Sequence, residues 1–189
     1  SPTRSRGASN TTRPVMIVGA RGTLGRAVAQ ACDQRGLARV CFTRAELDIA
    51  DERAITAAVV DAHPWLVVNC AGFVRVDDAE CERDACRVAN IHGAEALARA
   101  CGQMGVKLVT FSTDLVFDGA KSSPYVESDA PRPLSEYGRA KAEAEMAVLS
   151  AALDALVVRT AAFFAEHDDY NFVTQALRAL AAGDEFTAW

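Results

Sequence analysis

No run of lysines and arginines, no long apolar stretch and no metal-ligand spacing of cysteines occurs in this chain. Each absence removes a class of function. Lys and Arg number 20 against 25 Asp and Glu, for a formal net charge of −5. Nothing is therefore available to neutralise a phosphate backbone, and no nucleic-acid partner is expected. The apolar runs are too short for a membrane helix of about 20 residues, so no membrane partner is expected either. The polar start "SPTRSRGASNTTRP" lacks the apolar core of a signal peptide, and residues 1–13 read as a disordered tail or linker. The six cysteines, at 32, 41, 70, 81, 86 and 101, form no C-x-x-C pair. Several fall at apolar positions of predicted elements, which favours buried free thiols in a reducing, cytoplasmic compartment over disulfides. The three histidines stand far apart without cysteine neighbours, so no metal site is expected.

What is present is an ordinary globular balance. Of 189 residues, 50% are hydrophobic and 24% charged, enough for one domain, or one domain plus part of another, with a real core. Apolar runs at 14–20, 39–43, 65–71, 106–113 and 154–160 predict strands. Between and after them, periodic segments at 24–35, 51–63, 83–105, 133–152 and 171–183 predict helices, the second capped by Asp51. Strands this apolar predict burial on both faces, and strict alternation predicts an α/β fold, a doubly wound parallel sheet with flanking helices. The rhythm breaks near residue 170, in "AEHDDYN", and the sequence then stops at "GDEFTAW" with no further obvious element. This predicts a fragment of a larger chain, divided into a domain over 14–170 and the start of a truncated substrate-binding region over 171–189.

The first strand runs into Gly19-Ala20-Arg21-Gly22-Thr23-Leu24-Gly25, a G-x-x-G-x-x-G turn that opens a helix. Glycine permits close backbone approach, and the N–H groups of a helix start favour a pyrophosphate. Directly after the first strand of an alternating chain, the pattern points to a dinucleotide and a Rossmann-like domain. The second strand ends in Thr43-Arg44, where an NAD enzyme often has an acidic residue. A guanidinium there pairs with a 2′-phosphate or is simply a solvated surface arginine. On the 83–105 helix, Asn90 falls on the stripe formed by Cys86, Gly93, Leu97 and Cys101, while Glu95 and Arg99 form an i,i+4 pair on another side. A buried asparagine satisfies a backbone group or orders a water at a site. The fourth strand presents Ser112, Thr113 and Asp114 at its carboxyl end, where ligands of open α/β sheets bind. Tyr137 and Lys141 follow on the next helix at i,i+4 spacing, so that the lysine charge can lower the tyrosine pKa from about 10.

A hydroxyl at a strand end, Tyr-x-x-x-Lys and an earlier Asn together resemble the tetrad of extended short-chain dehydrogenase/reductases. Closer still is the dTDP-4-dehydrorhamnose reductase (RmlD-type) family, which the sequence resembles over about residues 14–185. "LDIAD", "VVNCAGFVRVDDAE", "VAN", "STDLVFDG", "PRPLSEYGRAKAEAE", "VVRT" and "NF" match that family's blocks in order, and "STDLVFDG" with "PLSEYGRAK" is the most specific part. The resemblance implies reduction of the 4-keto group of a nucleotide-linked 6-deoxy sugar by NADP(H), with NAD(H) as the alternative. It implies Tyr137 as proton donor, Lys141 as its activator and ribose ligand, Thr113 as the substrate-binding hydroxyl and Asn90 as the fourth member. It further implies Asp48, Ile49, Cys70, Ala71 and Gly72 beside the cofactor, and Val76, Phe117 and Asn171 beside the sugar, with a homodimer as one form of assembly. Val74 replaces a frequent threonine, and Ala161-Ala162 replaces a common Ser-Trp, so an altered sugar pocket is expected. A related nucleotide-sugar epimerase or reductase, or a non-catalytic NAD(P)-binding or regulatory module, are the alternative readings.

Overall fold

The computed structural model describes residues 13–163 and 171–186. Of the tail expected over 1–13, residues 1–12 lie outside the described residues, as does the expected domain edge near 170, while Arg13 donates to the carbonyls of His63 and Pro64. Five strands, β1 (Val15–Val18), β2 (Arg39–Phe42), β3 (Leu66–Asn69), β4 (Lys107–Phe111) and β5 (Ala155–Val158), form one sheet in the order β2-β1-β3-β4-β5. Every neighbouring pair is parallel, with Val18 level with Phe42 on one side and Asn69 on the other. The order reverses at β1, so the chain ends of β1 and β3 open the crevice in which ligands of such sheets sit.

The sheet is covered on both faces because successive side chains of a strand point oppositely. Val15 and Ile17 of β1 pack with Cys32, Val28 and Ala29 of helix α1 (Thr23–Gln34). Met16 and Val18 point the other way, into the larger core with Ile55 and Val59 of α2 (Glu52–Ala62), Leu97 and Cys101 of α4 (Gly93–Met104), and Val148 of α5 (Glu136–Ala151). Asp51 caps α2 by accepting from Arg53 N and Ala54 N, as its position predicts. Burial on both faces holds for β1 but not for the sheet's edges: β2 and β5 are only partly buried, and Leu156 of β5 is 57% exposed. Edge strands have a neighbour on one side only, which an apolar sequence does not reveal.

A single helix over 83–105 is expected from periodicity. Instead α3 (Arg83–Arg87) passes through a π-helical turn, Val88–His92, into α4. The helix closes at Gly105, φ +62°, as its glycine predicts. A last helix, α6 (Phe172–Ala182), is capped by Asn171 and leaves Phe172, Val173, Leu177 and Leu180 exposed. All six cysteines are free thiols. Among the described residues no helix is long and apolar enough to cross a membrane.

Close approach between α4 and the segment after β2 requires Gly93. A Cβ there would lie 2.5 Å from Ile49 Cγ1 and 2.8 Å from the Ile49 carbonyl oxygen. Gly to Ala inside an ordinary helix gains about 1 kcal/mol. Gly93→Ala is expected to reverse that sign and destabilise the protein by roughly 1–3 kcal/mol, measured by urea unfolding.

Candidate active site

Four backbone segments make up the site, at the carboxyl ends of β1, β2, β3 and β4. The first is the glycine loop, held by contacts that tolerate no side chain. Gly19 has φ +80°, and a Cβ on it would lie 2.7 Å from Ala71 N, so the loop is pressed against the turn after β3. A Cβ on Gly25 would collide with the Gly19 carbonyl oxygen. Gly22, where a Cβ would meet nothing nearer than 3.5 Å, starts α1 without any side-chain cap and with no acidic residue in the first turn. By contrast α2, α5 and α6 each begin under a capping side chain. The N–H groups at the start of α1 thus face outward with the positive end of the helix dipole behind them. Thr23 and Leu24 lie half-buried in this first turn, and Arg21 is exposed at its rim.

The end of β2 carries more than its arginine. Arg44 is exposed, but Glu46 folds back to accept from Thr43 N (2.8 Å) and Thr43 Oγ1 (2.7 Å). These hydrogen bonds, with a smaller contribution from the Arg21 charge, hold its carboxyl below the usual range. Asp48 is exposed and accepts from Ala50 N, whereas Ile49 is buried in the core against Gly93. Of that expected adenine-binding pair, only Asp48 turns a side chain outward.

The turn after β3 is fixed by two buried amides. Asn69 donates to Thr110 Oγ1 (3.2 Å) and accepts from Ala71 N (3.0 Å). Asn90, 2% exposed, accepts from Phe73 N and donates to Phe73 O, both at 3.0 Å. A Cβ on Gly72 would sit 2.7 Å from Asn90 Oδ1. The side chain expected in a catalytic tetrad is therefore used as a two-point clamp on the Cys70–Phe73 segment, and the π-helical turn carries the residue that clamps. Burial pushes the neighbouring Cys70 thiol up to about 12, so it stays neutral beside the loop.

At the end of β4, Thr113 is buried and caps a short 3-10 turn, Asp114–Val116. Its Oγ1 accepts from Leu115 N (3.2 Å) and lies 3.1 Å from Asp114 Oδ1. The hydroxyl expected to meet substrate is engaged locally. Helix α5 docks on this turn. Ser135 caps it through Gly138 N (3.0 Å), and a Cβ on Gly138 would collide with the Leu115 carbonyl oxygen. That contact brings Tyr137 beside Asp114 and Cys86. Burial raises the Tyr137 pKa, and the nearby Cys86 and Asp114 raise it further. The expected depression by Lys141 is thus corrected: the lysine turns inward to donate to Phe111 O (2.6 Å). Burial lowers its own pKa to about 8, partly offset by Glu145.

Sequence reasoning missed Glu145, one further i+4 step along α5. It is 6% exposed and bidentate with Arg159 at 2.9 and 2.7 Å. An acidic residue four places after Lys141, among the buried Ala142, Ala144 and Val148, was the available signal. Arg159 also covers the Phe117 ring, which stacks on Tyr125 at 4.1 Å. These residues and Val76 line a cleft of about 1120 Å³ that includes Asp114 and Leu134. Phe117 reaches the cleft but with its faces engaged by Arg159 and Tyr125. Asn171 caps α6 by accepting from Thr174 N.

The chain matches the family model described as the RmlD substrate binding domain over residues 13–188. It belongs to the RmlD family. Its relatives include a dTDP-4-dehydrorhamnose reductase of Mycolicibacterium smegmatis, 38% identical over 90% of this chain and 51% of that protein. A dTDP-4-keto-6-deoxy-D-glucose reductase of Streptomyces niveus is 40% identical over 86% of this chain and 57% of that one. Among solved structures, the Bacillus anthracis dTDP-4-dehydrorhamnose reductase in complex with NADP superposes with a TM-score of 0.86 at 32% identity, covering 90% of this chain and 60% of that one. The chain thus spans about half the length of the curated relatives it matches.

Lys141 puts a measurable strain on the fold. Burial lowers its pKa in the folded chain, so between about pH 8 and 10.5 the unfolded chain binds more protons and stability rises with pH. Below that window the folded chain carries the full cost of the buried charge. Lys141→Met is expected to stabilise the protein at pH 7 by on the order of 2 kcal/mol, with the gain over wild type shrinking to nothing by the top of the window. Urea unfolding of both proteins across the window checks this.

Proposed function

We propose that this chain is the cofactor-binding and proton-donating part of an NADP(H)-dependent reductase of a dTDP-linked 4-keto-6-deoxy sugar. The observation that carries the reading is Tyr137, a half-buried phenol whose pKa is raised and which therefore holds its proton at neutral pH. It stands on the helix docked at the end of β4, across from the uncapped glycine loop. The relatives' activities favour this reaction over others that the fold supports.

The residues fit a dinucleotide. The outward N–H groups of Thr23 and Leu24 suit a pyrophosphate, and Gly22 leaves room for it where a side chain would intrude. Arg21 and Arg44 supply positive charge at the end of β2, while Thr43 ties back the acidic Glu46. This arrangement favours a 2′-phosphate, and hence NADP(H), over a bare ribose. Asp48 borders the adenine end, and Cys70, Ala71 and Gly72 present backbone along the cofactor. When bound, the nicotinamide supplies the hydride.

The chain's own residues do the rest. Tyr137 donates its phenolic proton to the sugar oxygen as negative charge develops there. Lys141, charged below about pH 8, anchors α5 on Phe111 O and can reach a ribose hydroxyl with an N–H not used there. Asn90 acts through the backbone: it fixes the Gly72–Phe73 segment against which the substrate and cofactor would lie. Thr113 holds the turn that orients Asp114 toward the cleft. Val76 and Phe117 form cleft walls for the sugar, and residues 171–189 begin the part of the protein that completes the pocket.

Two measurements test the reading on the full-length protein. Tyr137→Phe is expected to keep NADPH affinity and lower kcat on a dTDP-4-keto-6-deoxy sugar by about 10²–10⁴-fold; unchanged turnover would refute the proton-donor role. Arg44→Ala is expected to weaken NADPH roughly tenfold, the scale of one charge-assisted hydrogen bond, and to leave NADH binding unaltered. Equal losses for the two cofactors would remove the 2′-phosphate assignment.

A further inference from the structure

Behind the Tyr137–Lys141 pair lies a cavity of about 10 Å³, separated from the cleft by Glu145 and Val157, which line both. That is room for the centre of one water molecule. Its walls are unusually polar for a space inside a core: Asn69, Asn90, Thr110, Ser112, Lys141 and Glu145 all line it, with Ala94, Val148 and Val157 among the apolar side chains beside them. Most of these polar groups are already engaged. Asn69 bonds Thr110 and the Ala71 amide, Asn90 bonds Phe73, Glu145 bonds Arg159, and Lys141 donates to Phe111 O.

Ser112 is the exception. It is 6% exposed, and its Oγ is the one buried side-chain nitrogen or oxygen among the described residues with no hydrogen-bond partner. A buried hydroxyl left in that state carries the full cost of its desolvation. The lysine has a complementary need. Its ammonium carries three N–H donors, and the carbonyl of Phe111 takes one. Glu145 presents carboxylate oxygens with acceptor capacity beyond the two bonds from Arg159. One water in this cavity would meet all three requirements, accepting from Lys141 while exchanging hydrogen bonds with Ser112 and Glu145.

We propose that this cavity is a built site for a single resident water, which Ser112 holds against the Lys141 ammonium. Ser112 is then a positioning residue. It acts through the water to keep Lys141 charged and drawn toward the core, at the height on α5 that suits Tyr137. The adjacent Thr113 caps the turn after β4; Ser112 faces the cavity beside α5. The site stands on packing and hydrogen-bond capacity alone. Only its consequence for catalysis rests on the reading of Lys141 as the partner of Tyr137.

The test compares Ser112→Thr with Ser112→Val in the full-length protein. Both add the same bulk, and only the first keeps the hydroxyl. Two readouts are used: a crystal structure of the wild-type protein at a resolution that shows core waters, and NMR titration of the isotope-labelled Lys141 Nζ. The wild-type structure is expected to hold one ordered water within hydrogen-bond distance of Ser112 Oγ and Lys141 Nζ. The Lys141 pKa is expected to be lower in Ser112→Val than in Ser112→Thr by about one unit, the scale of one lost hydrogen bond to a charged group. A dry cavity in the wild-type protein would overturn the proposal, even if neither variant folds. So would equal Lys141 titration in the two variants. Neither readout uses turnover, so the reductase reading can fail while the water stands, and the reverse.

Discussion

The site depends on how closely helix α5 approaches the turn that follows β4. At Gly138 the helix backbone meets the Leu115 carbonyl with no space for a Cβ. One helical turn later Lys141 reaches through the interface to the Phe111 carbonyl, and one turn after that Glu145 closes on Arg159 of the β5 end. Tyr137, Lys141 and Glu145 follow at i,i+4 steps along one face. Their order along the helix, phenol then ammonium then carboxylate, starts from that single contact. The glycine loop and the Asn90 clamp shape the opposite wall, but neither positions the phenol.

Burial sets the electrostatics of this row more than pairing does. Removing a phenol from water disfavours its anion, and removing an ammonium from water disfavours its cation. Tyr137 therefore rises and Lys141 falls, to about 8. Tyr137 thus stands protonated at neutral pH, with its proton available to an acceptor in the site. Glu145 moderates the lysine's fall, and its own charge is balanced by Arg159. Breaking one partner of such a buried pair leaves the other uncompensated, so the bridge also secures the lysine's surroundings.

Much of this was legible in the sequence. Apolar runs of strand length alternating with periodic helices specify a parallel sheet, and its order follows the usual crossover rules. The G-x-x-G-x-x-G turn shows because Gly19 and Gly25 answer backbone contacts that any side chain would block, while Gly22 opens the helix start. The Tyr-x-x-x-Lys spacing likewise carries its geometry with it. What sequence reasoning could not supply were facts about who reaches whom across the fold. Periodicity places Asn90 on a buried stripe but says nothing of the π-helical turn that aims its amide at Phe73. Ile49 reads as a neighbour of Asp48, yet only the approach of α4 at Gly93 decides that it turns into the core. The inward turn of Lys141 also reversed the expected direction of the tyrosine shift, since spacing gives proximity but not orientation. Glu145 and Arg159 are 14 residues apart in sequence and meet only because β5 runs beside α5.

The most direct test of this account is the rate of hydride transfer by a Gly138→Ala variant of the full-length protein, measured in single turnover with NADPH and a dTDP-4-keto-6-deoxy sugar. An added methyl at that position must lift α5 from the Leu115 carbonyl and carry Tyr137 with it. The expected result is a folded protein that binds NADPH and transfers hydride about 10²-fold more slowly or worse, the scale of a misplacement near one ångström. A wild-type rate in a folded Gly138→Ala protein would contradict the claim that this close contact sets the catalytic geometry.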